Sequence, residues 1–110
     1  MKEHERRYSG RVSTDFPAAV SSAAGSRYLR VLDLSRGGAR LQRGRAAIRR
    51  GDRIAIQFRL PTGAGPIHCE ADVMHQGHDR LGVRFTSLTA TQQEILGRYL
   101  DRELGAAWYR

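Results

Sequence analysis

Two short clusters in the N-terminal half of this 110-residue chain hold the residues best suited to chemistry. The first, Arg7-Tyr8-Ser9-Gly10-Arg11, sets two guanidinium groups four residues apart (R-x-x-x-R). The second, about twenty residues further on, is Asp33-Leu34-Ser35-Arg36-Gly37-Gly38 (D-x-S-x-x-G). Arginine presents five donors in a rigid fork that matches phosphate oxygens or the O6/N7 edge of guanine. At this spacing Arg7 and Arg11 point the same way on an extended or a helical backbone. Arg6 faces elsewhere and is free to grip a second ligand copy or another phosphate. Asp33 and Ser35, two apart, share one face if they stand on a strand. The carboxylate can accept from the N–H donors of guanine, and the hydroxyl can donate to or accept from base or phosphate. Gly37 and Gly38 let the backbone turn and approach a ligand with no Cβ in the way. Each cluster alone also has a plain reading: solvated arm arginines, and Asp and Ser capping a hairpin turn. Together they suit something that carries both phosphates and guanine edges.

The other candidates are weaker. His68, His75 and His78 lack dependable metal-ligand spacing, so no metal site is expected. Cys69, the single cysteine, excludes an internal disulfide and falls in the apolar register of its strand, as a small core residue would. No nucleophile–base pair is evident, and Ser35 does not sit in a G-x-S-x-G elbow. These absences point away from an enzyme. The arginines from Arg43 to Arg50 read as a solvated basic loop.

The elements that must position the clusters are mostly strands. Residues 1–11 are polar and aperiodic and read as a flexible arm. Val12 to Val20 alternates loosely, with Pro17 suggesting an edge strand. A Ser/Ala/Gly turn leads to Tyr28–Leu34, which ends in the Ser35–Gly38 turn, and Ala39–Gln42 continues as its partner. Gly51-Asp52 opens a strand at Arg53–Leu60, and Ile67–His75 follows the Pro61–Pro66 loop with Ile67, Cys69, Ala71 and Val73 on one side. Leu81-Gly82-Val83-Arg84-Phe85 is the sixth strand. Six short strands with frequent turns suggest a small barrel or sandwich. The period then changes. Thr89-x-x-Gln92 is a capping box, and Leu96, Tyr99, Leu100 and Leu104 line one face of a helix that Gly105 should end.

Size and charge set the outer bounds. A chain of this length fits one domain, divided here as arm (1–11), barrel (12–88) and C-terminal helix with tail (89–110). No apolar run approaches the ~18–20 residues of a membrane span, and no signal-peptide core follows Met1, so a soluble cytoplasmic protein is expected. Residues 1–50 carry twelve Lys/Arg against four Asp/Glu, whereas residues 51–110 carry seven of each. All the net charge of +8 is therefore in the half that holds both clusters. A one-sided basic field attracts phosphorylated ligands or polyanions.

In order and spacing the two clusters, with the six-strand pattern and the final helix, resemble the signature of PilZ domains, bacterial receptors for cyclic diguanylate (c-di-GMP). The resemblance covers roughly Glu5 to Leu104. It implies a six-stranded antiparallel β-barrel with a C-terminal helix and no cofactor beyond the ligand. It implies that Arg7 and Arg11 wrap the ligand while Asp33, Ser35 and Gly38 hold a guanine, with Gly37 beside them. Arg6 matches relatives that take an intercalated ligand dimer, and His75 lies where some relatives place a stacking aromatic. Arg36 and Arg84 are secondary ligand candidates. The implied role is second-messenger signalling in motility or biofilm regulation through a downstream protein partner. Two rivals remain: an adaptor that binds only protein, and a basic nucleic-acid-binding barrel. The second is disfavoured because the few aromatics fall mostly in core register.

Overall fold

The computed structural model of the protein describes residues 10–61, 63 and 65–108. Arg6, Arg7 and the rest of the arm before Gly10 therefore lie outside the described residues. The elements are β1 (Val12–Ser22), β2 (Gly25–Leu34), β3 (Gly38–Gln42), β4 (Arg53–Arg59), β5 (Pro66–Gln76), β6 (Arg80–Phe85) and the helix α1 (Ala90–Trp108). All adjacent strands are antiparallel, and the order β1-β2-β3-β6-β5-β4 closes into a barrel. Of the barrel and sandwich that the strand pattern allowed, the chain adopts the barrel.

Closure is made by three residue pairs, Ala19↔Gln57, Val20↔Ile56 and Ser21↔Ala55. A closed sheet has no edge strand, so β1 is not the edge strand that Pro17 suggested: it pairs on both sides, with β2 and β4. Pro17 itself pairs with Arg30 of β2 and lies outside the short β1–β4 ladder, which begins at Ala19. Alternation fills the interior. Ile54, Ile56 and Phe58 from β4 and Ile67, Cys69, Ala71 and Val73 from β5 are buried, each at 5% exposure or less. The loop after β3 is more than a solvated basic stretch. Arg45, Arg49 and Arg50 are exposed, but Ala46 and Ile48 between them are buried and belong to the same core.

The helix begins where its capping box requires. The Gln92 N–H donates to Thr89 Oγ1 and the Thr89 N–H donates to Gln92 Oε1, both at 3.1 Å. This reciprocal pair satisfies two of the amides that a helix start leaves without partners. Leu96, Tyr99 and Leu100 are buried, with Leu88, Ile95 and Leu104 packed partly against the core. The helix does not stop at Gly105, however, but runs to Trp108. Gly105 has no positive φ and no atom within 4 Å of where its Cβ would lie, so it neither turns the chain nor admits a neighbour. An interior glycine costs a helix only about 1 kcal/mol relative to alanine.

Candidate ligand-binding site

The exterior of the barrel carries one continuous row of paired residues that runs across the strands. Ser13 of β1 stands opposite Asp33 of β2, Asp33 opposite Arg40 of β3, Arg40 opposite Gly82 of β6, and Gly82 opposite His75 of β5. Register irregularities create this row. Between β2 and β3 the pairing steps from Val31↔Leu41 to Asp33↔Arg40, so Leu32 is an extra residue. In an unbroken register Leu32 would face Arg40. Between β5 and β6 it steps from Val73↔Val83 to His75↔Gly82, with Met74 as the extra residue. A third shift lies between Ser13 and Phe16 of β1. Bulges of this kind re-aim side chains, and here all three flank the same face.

Asp33 is the electrostatic centre of the row. Its side chain is only 15% exposed; Arg11 Nη1 donates to Oδ1 at 2.8 Å, and Arg40 Nε lies 3.5 Å from Oδ2. One row along, Asp72 is held in the same way, 3.1 Å from Arg53 and 3.7 Å from Arg84. The face thus sets four guanidinium groups around two carboxylates, leaving a surplus of positive charge. Such a surplus draws an anion without requiring the removal of any pair.

Beside Asp33 opens a shallow cleft of about 250 Å³ lined by Arg11, Ser35, Gly37, Gly38, Met74, His75, Gly82, Val83 and Arg84. Three glycines leave it without Cβ projections. For Gly38 the reason is severe: a Cβ there would stand 2.1 Å from the Val83 carbonyl oxygen. At Gly82 a Cβ would come within 3.2 Å of His75 Cδ2, so the imidazole lies close across the bare backbone. A flat group laid on this glycine surface would meet His75 at its side and Arg11 and Arg84 at its rim. Met74, at 39% exposure, supplies apolar area.

Ser35 is not on the strand with Asp33. β2 ends at Leu34, and the Ser35 N–H donates to the Gly38 carbonyl at 2.9 Å, closing a turn. Its hydroxyl also donates to that carbonyl, at 3.3 Å, and the side chain is buried. The hydroxyl proton is thereby committed to the turn, which leaves the Oγ lone pairs to receive a donor. The Gly37 carbonyl accepts from the Phe85 N–H at 2.8 Å and ties the turn to β6. Of the residues anticipated from the sequence, Arg11, Ser35, Gly37, Gly38, His75 and Arg84 meet around the cleft, with Asp33 bound to Arg11 beside it. Arg36 does not line the cleft and reaches α1 instead, where it pairs with Asp101 at 2.7 Å. Sequence reasoning missed Arg40, Met74 and Gly82. A glycine inside a strand pattern signals close approach and could have flagged Gly82; Arg40 gave no signal, because its place depends on the Leu32 bulge.

The fold has counterparts among known proteins. The PilZ domain family model matches residues 5–102. No match was found among curated protein sequences. Among solved structures, the Bacillus subtilis inhibitor of motility, MotI/DgrA, superposes with a TM-score of 0.79 at 17% identity, covering 87% of this chain and 50% of its own. The PilZ domain of Escherichia coli YcgR with c-di-GMP gives 0.66 at 23% identity, covering 93% of this chain and 94% of its own. The PilZ domain of CeSA from a cellulose-synthesizing bacterium gives 0.63 at 24% identity, covering 90% and 99%. The chain spans half the length of the motility inhibitor that it matches. The likenesses in fold and a family model that covers nearly the entire chain lead to one assignment: this protein belongs to the PilZ domain family.

Proposed function

We propose that the protein is a c-di-GMP receptor, a binding module without catalytic chemistry, that changes the conformation of its arm on ligand binding and signals to a protein partner. The observation that carries this reading is Asp33, a nearly buried carboxylate held between Arg11 and Arg40 at the side of a glycine-floored cleft. The solved PilZ domain of YcgR with c-di-GMP supports the choice of ligand.

The mechanism follows from the charges. Without ligand, Arg11 donates to Asp33. A doubly anionic cyclic dinucleotide offers Arg11 a phosphate in exchange, and Asp33 then accepts from the N–H edge of guanine. Arg40 stays beside the carboxylate and orients it through the exchange, so the charge of Asp33 is not left without a partner at any stage. His75 stacks on a base laid over Gly82. Arg6 and Arg7 close over the ligand from the arm, with Arg6 on a second ligand copy. Ordering of the arm then makes the surface that a partner reads.

Calorimetric titration tests the reading. The protein should bind c-di-GMP in preference to GTP, GMP and cyclic diadenylate, at two ligands per chain, and Arg6→Leu should lower the ratio toward one. Asp33→Ala should abolish most of the binding. A flat titration of the folded protein would refute the receptor function and favour a protein-only adaptor.

A further inference from the structure

The turn that carries Ser35 has a second face. Ser35, Gly37 and Gly38 line the cleft, but Arg36, between them in sequence, turns away and spans to the helix. Its Nη2 donates to Asp101 Oδ1 at 2.7 Å. Its guanidinium lies directly over Gly97, where a Cβ would stand 2.4 Å from Nη1. Gly97 is buried in the middle of α1, a position where glycine weakens a helix relative to alanine. The chain thus forgoes helix propensity at the one point where the guanidinium rests. A separate cleft of about 260 Å³, lined by Arg36, Phe85, Thr86, Leu88 and Gln93, lies alongside, so the contact at Gly97 and Asp101 bridges turn and helix past open space.

We propose that Arg36, Gly97 and Asp101 form a clasp that positions the Ser35–Gly38 turn for ligand and couples occupancy of the cleft to the C-terminal half of α1. The proposal rests on the receptor reading above for the identity of the ligand. Arg36 is a positioning residue: its backbone joins two cleft residues, and its bond to Asp101 tethers that segment to the helix in addition to the bonds that close the turn and tie it to β6. Coupling between two sites is reciprocal. The factor by which an intact clasp raises affinity is the factor by which ligand tightens the clasp, and α1 is thereby made responsive to the ligand.

Two substitutions on the helix test this in the full chain. Gly97→Ala raises helix propensity while its methyl group displaces the guanidinium; Asp101→Asn removes the charge at constant size. Each should weaken c-di-GMP binding by about two- to fivefold, the range open to an exposed ion pair. Arg36→Met should cost the same factor alone and nothing further in the Asp101→Asn background. Amide exchange at Ser35 and Phe85 should quicken in the unliganded variants, at unchanged melting temperature for Asp101→Asn. Unchanged or tighter binding by both helix variants, with the parent protein binding normally, would overturn the clasp. If the parent protein binds no c-di-GMP, the receptor reading fails, and exchange alone decides: Ser35 and Phe85 amides as slow in the variants as in the parent would overturn the clasp as well.

Discussion

Gly37 and Gly38 are neighbours in the same motif, yet the structure predicts opposite consequences for the same substitution. In Gly38→Ala the new Cβ would meet three backbone atoms of β6: Val83 O at 2.1 Å, Val83 C at 3.1 Å and Arg84 Cα at 3.3 Å. None of these is a flexible side-chain end. Relief requires β3 and β6 to separate by more than an ångström at the Gly38↔Arg84 pair, beside the bond from the Phe85 N–H to the Gly37 carbonyl. Overpacking of this kind costs about 1–3 kcal/mol, and loss of the adjoining hydrogen bond adds about 1 kcal/mol. A total near 3 kcal/mol lowers the melting temperature of a domain this small by about 12–24 °C. At Gly37 there is no atom within 4 Å of the Cβ position and no positive φ, so alanine there should be neutral or stabilise by about 0.4–1 kcal/mol. Its methyl group would enter the ligand cleft, and so should weaken c-di-GMP binding in a protein of intact stability. Thermal and urea unfolding followed by circular dichroism would measure the first effect and calorimetry the second. A Gly38→Ala protein that melts within 2 °C of the parent, on the order of 0.5 kcal/mol, would refute the argument from close approach.

Other outcomes follow from the same structure. Arg11→Ala should weaken c-di-GMP binding by about 1.5–3 kcal/mol, the size of a charged hydrogen bond, with little change in urea midpoint because the residue is exposed at the start of the barrel. Arg40→Met should lower affinity through the loss of orientation at Asp33, and added salt should weaken binding by the parent protein, both by calorimetry. Thr89→Ala breaks one of the two capping-box bonds and should cost about 1 kcal/mol in urea unfolding. Burial pushes the Cys69 thiol up to about 11, with the charge of Glu70 adding to the effect, and Tyr99 is raised by burial and by Glu103. The folded chain keeps these protons after the unfolded chain has released them. Stability is therefore intact below the ordinary thiol pKa and should fall as pH rises from 9 toward 11, as urea midpoints across that window would show. The native thiol should also resist alkylation at pH 8 until the protein unfolds.

What the sequence made legible was whatever local spacing controls. The alternation of Ile67, Cys69, Ala71 and Val73 marked the inner face of β5, and Thr89 with Gln92 marked the helix start, because both patterns are complete within a few residues. The end of α1 was misjudged because Gly105 can either terminate a helix or be tolerated in one, and only packing decides. The site was half legible. Asp33 and Gly38 stood out by motif, but that Asp33 faces Arg40 follows from one extra residue, Leu32, and a bulge is a relation between two strands. The position of His75 across Gly82 depends in the same way on Met74. That the strand ends at Leu34 and Ser35 opens a turn was legible, but the bond from the Ser35 hydroxyl to the Gly38 carbonyl was one of two roles that D-x-S-x-x-G left open. Arg36 lies in the motif that suggested a ligand contact, yet its partner is 65 residues away.

The row from Ser13 to His75 runs across strands, and that direction makes the site a property of the assembled barrel. A chain cut between β4 and β5 would leave Ser13, Asp33 and Arg40 on one fragment and His75, Gly82 and Arg84 on the other. Neither fragment carries a cleft. The two share the β3–β6 and β4–β5 ladders, which supply separate seams for recombination. A small molecule that needs both sides of the first seam would hold the fragments together by mass action, so this barrel is suited to fragment complementation in which the ligand itself is the glue.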